Sequence, residues 1–147
     1  VMPFPYEEEY KSTVFQYQDF PADWPKSFAI LTAYATTGET WTPEQNIAAD
    51  RELEAELRKG GNRLHRISGY SSDLKTYEEG WAVAMPLQPA WELAIKYKQI
   101  ALFYYQDDEL LLVYSKDFSR HDEAIVKVLP SFKDSVRPYL PRVYPKK

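Results

Sequence analysis

Residues 28–34 read FAILTAY, and the fold turns on this run. Phe28, Ile30, Thr32 and Tyr34 fall on one side of an extended chain, with Ala29, Leu31 and Ala33 on the other. Neither side is polar enough to face water, so the strand belongs inside a sheet covered on both faces. The small alanine side admits a closely packed helix. The bulkier side needs a second cover, and the aromatic segments near the chain ends can supply it.

The next element outward is a helix with clear end signals. Thr42 is a good N-cap, Pro43 suits the first helical position and Gln45 completes a capping box, while Gly60-Gly61 stops the helix. Asn46, Ala49, Asp50, Leu53 and Leu57 share one stripe, which places Leu53 and Leu57 against the Ala29, Leu31, Ala33 side. A weak strand over 63–70 and a stronger one over 76–85 follow, joined by a turn at Ser71-Ser72-Asp73. Pro89 is expected to open a second helix over 90–98, and 100–105 with 110–114 read as a hairpin. Residues 12–17 make a possible edge strand. Ser119-x-x-Asp122 suggests a short terminal helix running to Leu129, after which Pro130, Pro138, Pro141 and Pro145 forbid long regular structure.

This order predicts an α+β fold: a split β-α-β-β-α-β-β sheet with two helices on one face and aromatic, proline-rich terminal segments. A single domain over 1–147 is expected, with an extended arm over 1–27 whose first ten residues should be exposed, a core over 28–115 and a basic segment over 116–147. Net charge is −4 overall. The acids gather in the arm and core, and the bases dominate the last segment. No dense Lys/Arg patch accompanies that segment, which argues against nucleic-acid binding.

A chain of 147 residues can bury a substantial core, and 27% charged residues is ordinary for a globular protein. No cysteine occurs, which excludes disulfides, thiolate metal sites and a cysteine nucleophile. No secretory signal or apolar span of about 20 residues stands out, so the cytosol is the expected compartment and no membrane partner is expected. The chain opens at Val1, which suggests a start that is trimmed or carries added residues. Phosphate-loop, dinucleotide and hydrolase-elbow motifs are missing. His65 and His121 have no partner motif and read as surface groups.

FAILTAY, then N46-x3-D50-x2-Leu53, Gly69, Glu79-Gly80-Trp81 and Gln99-x-Ala101 together resemble a family of small bacterial domains of unknown function. That family's pattern is an I-T-A-aromatic-N-P strand end, N-x3-N-x2-L on a helix and a later G-Q-x-A. Here Ala35-Thr36 replaces the Asn-Pro, and Asp50 replaces the second asparagine. The resemblance implies no activity.

The constellation with chemical content is Asn46, Asp50, Glu79 and Gln99, with Thr32 and Tyr34 nearby. Asp50 lies on a core-facing stripe and Glu79 shares a strand face with Trp81, Val83 and Met85, so each carboxylate requires a partner if buried. The expected use of these six residues is ligand binding. Alternatively, Asn46 and Asp50 splay to solvent in the first turns of their helix and Glu79 marks an exposed strand start. The leading functional expectation is a binding or interaction module for a small ligand or protein, without catalysis or cofactor. A metal-assisted phosphodiesterase or other hydrolase, with Asp50 and Glu79 as oxygen ligands for Mg²⁺ or Mn²⁺, is the alternative. A host- or phage-interaction protein is a third reading. Oligomeric state is left open.

Overall fold

The computed structural model describes residues 6–36 and 38–116, together with the backbone of the short strand Val136–Arg137. Three helices, α1 (Glu7–Lys11), α2 (Pro43–Lys59) and α3 (Leu87–Lys96), accompany seven strands. These are β1 (Val14–Gln16), β2 (Phe28–Thr32), β3 (Leu64–Tyr70), β4 (Tyr77–Val83), β5 (Ala101–Gln106), β6 (Glu109–Tyr114) and β7 (Val136–Arg137). They form one sheet in the order β6-β5-β2-β4-β3-β1-β7, antiparallel except for the β1–β7 pair.

Two split β-α-β units explain that order. β2 and β3 run parallel with β4 inserted between them, and β4 and β5 run parallel with β2 inserted between them. The helices α2 and α3 supply the two crossovers and pack in one apolar layer on the same sheet face. The split α+β architecture read from the sequence is therefore present, with β6 and β1 widening the four-strand centre.

The apolar patterns set the two layers. Leu53 and Leu57 of α2 and Ala90 and Ala94 of α3 bury against Ala29, Leu31, Ala33, Trp81 and Val83. On the opposite, open face, Phe28, Ile30, Ile67, Ala82, Leu110 and Leu112 are buried, partly under Tyr10, Tyr17, Phe20 and Trp24. The aromatic N-terminal segment thus provides the second cover that β2 needs.

Local chemistry fixes the element ends. Thr42 Oγ1 accepts from the Gln45 amide at 3.1 Å, and the Gln45 side chain accepts from the Thr42 amide at 2.9 Å, closing the capping box. At the other end Gly61 takes φ 77, a left-handed conformation natural to glycine, and the Asn62 amide donates to Leu57 O. The β5–β6 hairpin turns through Asp107 and Asp108, with φ 52 and 61. Two successive positive φ angles suit the twist of a tight hairpin, and aspartate tolerates them better than most residues.

Three local expectations differ. Residues Glu7–Lys11 form a short helix where an extended arm was expected; three acids open its first turn and Lys11 pairs with Glu7 at 3.2 Å. The second long helix begins at Leu87, before Pro89. A proline in the first turn is tolerated because the amide it lacks would have no intrahelical acceptor there. The β1 strand is shorter than 12–17. The Ser119-x-x-Asp122 helix lies outside the described residues.

Leu53 is 1% exposed at the centre of the helix-side layer. Leu53→Ala is expected to cost roughly 2–5 kcal/mol in urea unfolding. A loss below about 0.5 kcal/mol, the surface range, would show that α2 does not rest on this layer.

Candidate functional site

Glu79 and Asp50 converge, and the group between them is Arg66. Cross-strand register places Ser68 opposite Glu79 and Arg66 opposite Trp81, all on the helix-covered face. Arg66 Nη1 donates to Asp50 Oδ1 at 2.9 Å and Nη2 to Oδ2 at 2.7 Å, a bidentate pair. Its Nε lies 3.6 Å from Glu79 Oε1, and Nη1 also donates to the Gly80 carbonyl at 3.2 Å. The guanidinium sits 3.9 Å from the Trp81 ring centroid, and Ser68 Oγ donates to Glu79 Oε1 at 2.8 Å. Asp50 and Glu79 are both buried, so neither splays to solvent.

This arrangement bears on the metal reading. The carboxylates approach one another as that reading required, but both Asp50 oxygens are occupied by a guanidinium. Among the described residues, no group of three or more His, Cys, Asp or Glu could hold a metal ion. The residues present form an ion-pair network, and no metal-dependent step is derived from them.

The other singled-out residues tie the chain together. Asn46 Oδ1 accepts from the Ala35 amide at 2.8 Å, fixing the loop after β2. Gln99 Nε2 donates to the carbonyls of Tyr34 at 2.8 Å and Tyr97 at 3.1 Å. Thr32 Oγ1 donates to the Glu79 carbonyl at 2.8 Å and accepts from the Tyr34 amide. The six residues expected to share a ligand site thus separate into the Asp50–Glu79 network and a set of backbone ties.

A concave site lies on the other face. A cavity of about 300 Å³ opens between the α1–β1 segment and the ends of β2, β3 and β4. Thr32 and Gln99 contribute to its wall, whereas Tyr34, Asn46, Asp50 and Glu79 do not. Its origin is visible in the register. Phe15, Gly69 and Glu78 form one cross-strand row, and Ile67, Gly80 and Thr32 form the next. Each row carries a glycine in the middle, so two adjacent side-chain positions are vacant on a face that is otherwise filled. Gly80 is further constrained, because a Cβ there would sit 2.7 Å from the Leu31 carbonyl oxygen.

Glu78 is the half-buried carboxylate on this cavity. It makes no hydrogen bond or ion pair among the described residues, and burial alone pushes its pKa up to about 7. Glu9, Tyr10 and Thr13 come from the segment above it, and Phe15 and Phe103 also line the cavity. The glycines at 69 and 80, two breaks in otherwise filled strands, are the sequence signal that could have pointed to this cavity. Glu78 escaped notice because its alternation with Glu79 becomes informative only once the buried faces are assigned.

Residues 31–102, just under half of the chain, match a family model described as Protein of unknown function (DUF3293). The recognition of an uncharacterised domain family is therefore borne out. The matched segment holds the Asp50–Arg66–Glu79 network, both glycines of the cavity floor and Glu78, while α1 and β1 lie outside it. No curated protein and no solved structure matches the chain. Among the described residues, no helix is long and apolar enough to cross a membrane.

Two outcomes follow from these charges. Arg66→Leu leaves two buried carboxylates without their cation and should cost about 3 kcal/mol in chemical denaturation, with part of the loss recovered on adding Asp50→Asn. Full stability in the single variant would remove the network from the account of the fold. For Glu78, the folded chain holds its proton to higher pH than the unfolded chain does. Stability should therefore fall as pH rises from 4.5 to about 7 and then level off. Glu78→Gln is expected to match wild type near about pH 4, to exceed it at about pH 8 and to flatten the curve between. An unchanged pH profile would assign that proton to another group.

Proposed function

We propose that this chain is a binding module whose ligand is a small molecule held in the open-face cavity. The observation that carries this reading is the pair of adjacent glycine rows, which leaves a volume of about 300 Å³ beside Glu78. Ligand sites are commonly concave, mostly apolar and furnished with a few polar groups that orient the occupant. Phe15, Ile30 and Ile67 provide apolar wall, and Thr32 and Glu78 provide the polar groups. The expected contribution of Thr32 and Gln99 to binding belongs to this reading. Asn46, Asp50, Glu79 and Tyr34 serve it indirectly, by holding the strands and the loop after β2. A soluble, cytosolic protein acting without catalysis is the setting this reading assumes.

The test is a titration followed by amide NMR, using benzyl alcohol, benzylammonium, benzoate and indole. At least one of them should shift the amides of Thr32, Gly69, Glu78 and Gly80 together. A Cβ at Gly69 meets only Thr13 Cγ2 at 3.4 Å and Phe15 Cε1 at 3.7 Å, so a side chain can enter the cavity there. Gly69→Leu should fill the space and weaken binding by at least about tenfold, which corresponds to 1.4 kcal/mol. Probes that shift none of these amides, or that bind Gly69→Leu equally well, would refute the reading.

A further inference from the structure

We infer that the cavity selects a small organic ammonium ion, with Glu78 as its counter-charge and the surrounding aromatic rings as its wall. This rests on the binding reading above and adds the class of ligand.

Three observations converge. The first is charge. The cavity lining includes the carboxylates of Glu9 and Glu78 and no lysine, arginine or histidine among the described residues. Glu9 comes from α1 and is exposed, so its field is largely screened, whereas Glu78 from β4 is half-buried and stands at the glycine gap. An anionic ligand would meet two like charges there. A neutral ligand would leave the ionised Glu78 desolvated and without a partner, which is costly.

The second is aromatic geometry. Phe15 and Phe103 meet edge to face at 5.1 Å and 88°, and Tyr10 and Phe103 at 6.3 Å and 79°. All three line the cavity. Ring faces carry negative potential, and aromatic walls around a carboxylate favour a cation with hydrocarbon substituents over a hydrated metal ion.

The third is the contrast within the molecule. On the helix-covered face, Asp50 and Glu79 are met by Arg66, which itself rests on Trp81. On the open face, a carboxylate and aromatic rings are likewise brought together, but the described residues of the lining supply no cation. The missing partner is a positive charge of small organic size.

The experiment compares benzylammonium, benzyl alcohol and benzoate, which share one ring and differ in charge, by NMR titration of the full chain at about pH 8, where Glu78 is ionised. Benzylammonium should bind at least about tenfold more tightly than benzyl alcohol, and benzoate should not bind. Glu78→Gln should abolish the preference for the ammonium while leaving benzyl alcohol within about twofold. Among the described residues, the other titratable groups on the cavity lining are Glu9 and Tyr10 from α1, together with Tyr70 from β3 and Tyr77 from β4, whose side chains alternate to the helix-covered face. Wild-type binding of benzylammonium should weaken as pH falls through 7, where Glu78 takes up its proton, and binding to Glu78→Gln should not. Glu9→Gln should retain the ammonium preference, which would assign it to Glu78 rather than to general negative charge. Equal binding of ammonium and alcohol with shifts at Thr32, Gly69 and Gly80 would overturn the ammonium assignment and leave the cavity as a ligand site. Absence of shifts for all three compounds would overturn both.

Discussion

Burial of β2 on both faces constrains the remaining elements. Phe28 and Ile30 on one side and Ala29 and Leu31 on the other are all nearly inaccessible. A strand in that state needs neighbours on both edges and a layer above and below. The two split β-α-β units supply the edges, β4 and β5, and carry both long helices to the alanine side. That choice of side commits the molecule to covering the bulkier face with something else. The cover comes from α1, β1 and the aromatic residues through Trp24, none of which belongs to either split unit. Among the described residues, this cover of a short helix, a short strand and the aromatic side chains after them does not reach across the whole face, and the cavity is what it leaves.

The helix-covered layer carries a second constraint, since two carboxylates enter it. Isolated, each would carry a desolvation cost of several kcal/mol. Arg66 answers both from the neighbouring strand. It depends on the β3–β4 register, because a slip of one residue would turn Arg66 to the opposite face and leave Asp50 and Glu79 unmet. The network is therefore better understood as a register lock than as a source of net stability. An apolar replacement of the whole set could stabilise as well, but it would no longer distinguish the correct pairing from its neighbours.

The parts of the fold legible in the sequence were those coded locally. The capping box at Thr42, the Gly60-Gly61 stop, the two-sided pattern of 28–34 and the acidic hairpin turn each name an element without reference to any other. Residues Glu7–Lys11 were not legible, because so short a helix has no apolar period and rests on contacts such as Tyr10 against Phe103 and Tyr114. The need for a partner to Asp50 could be read from its stripe, but the identity of that partner could not. Arg66 comes within reach of Asp50 only through the pairing of β3 with β4 and the docking of α2 above them. The cavity was half legible. Glycine inside a strand signals a bulge or a close approach, and Gly80 against Leu31 is such an approach. That Gly69 would stand in the next row, beside Glu78, required the register.

The two faces of the sheet treat buried charge differently, and this contrast bears most directly on function. A protein stabilised by selection for folding alone gains from removing a half-buried carboxylate that has no partner, since glutamine in its place costs less at neutral pH. Residues that break local rules without structural compensation tend to mark sites of function. Asp50 and Glu79 break the rule against buried charge and are compensated, so they are accounted for by structure. Glu78 breaks the same rule, lies beside two side-chain vacancies within an aromatic wall, and has no compensation among the described residues. The compensation would arrive with a bound cation, which would return to the open face the same combination of carboxylate, positive charge and ring that Arg66 completes on the other.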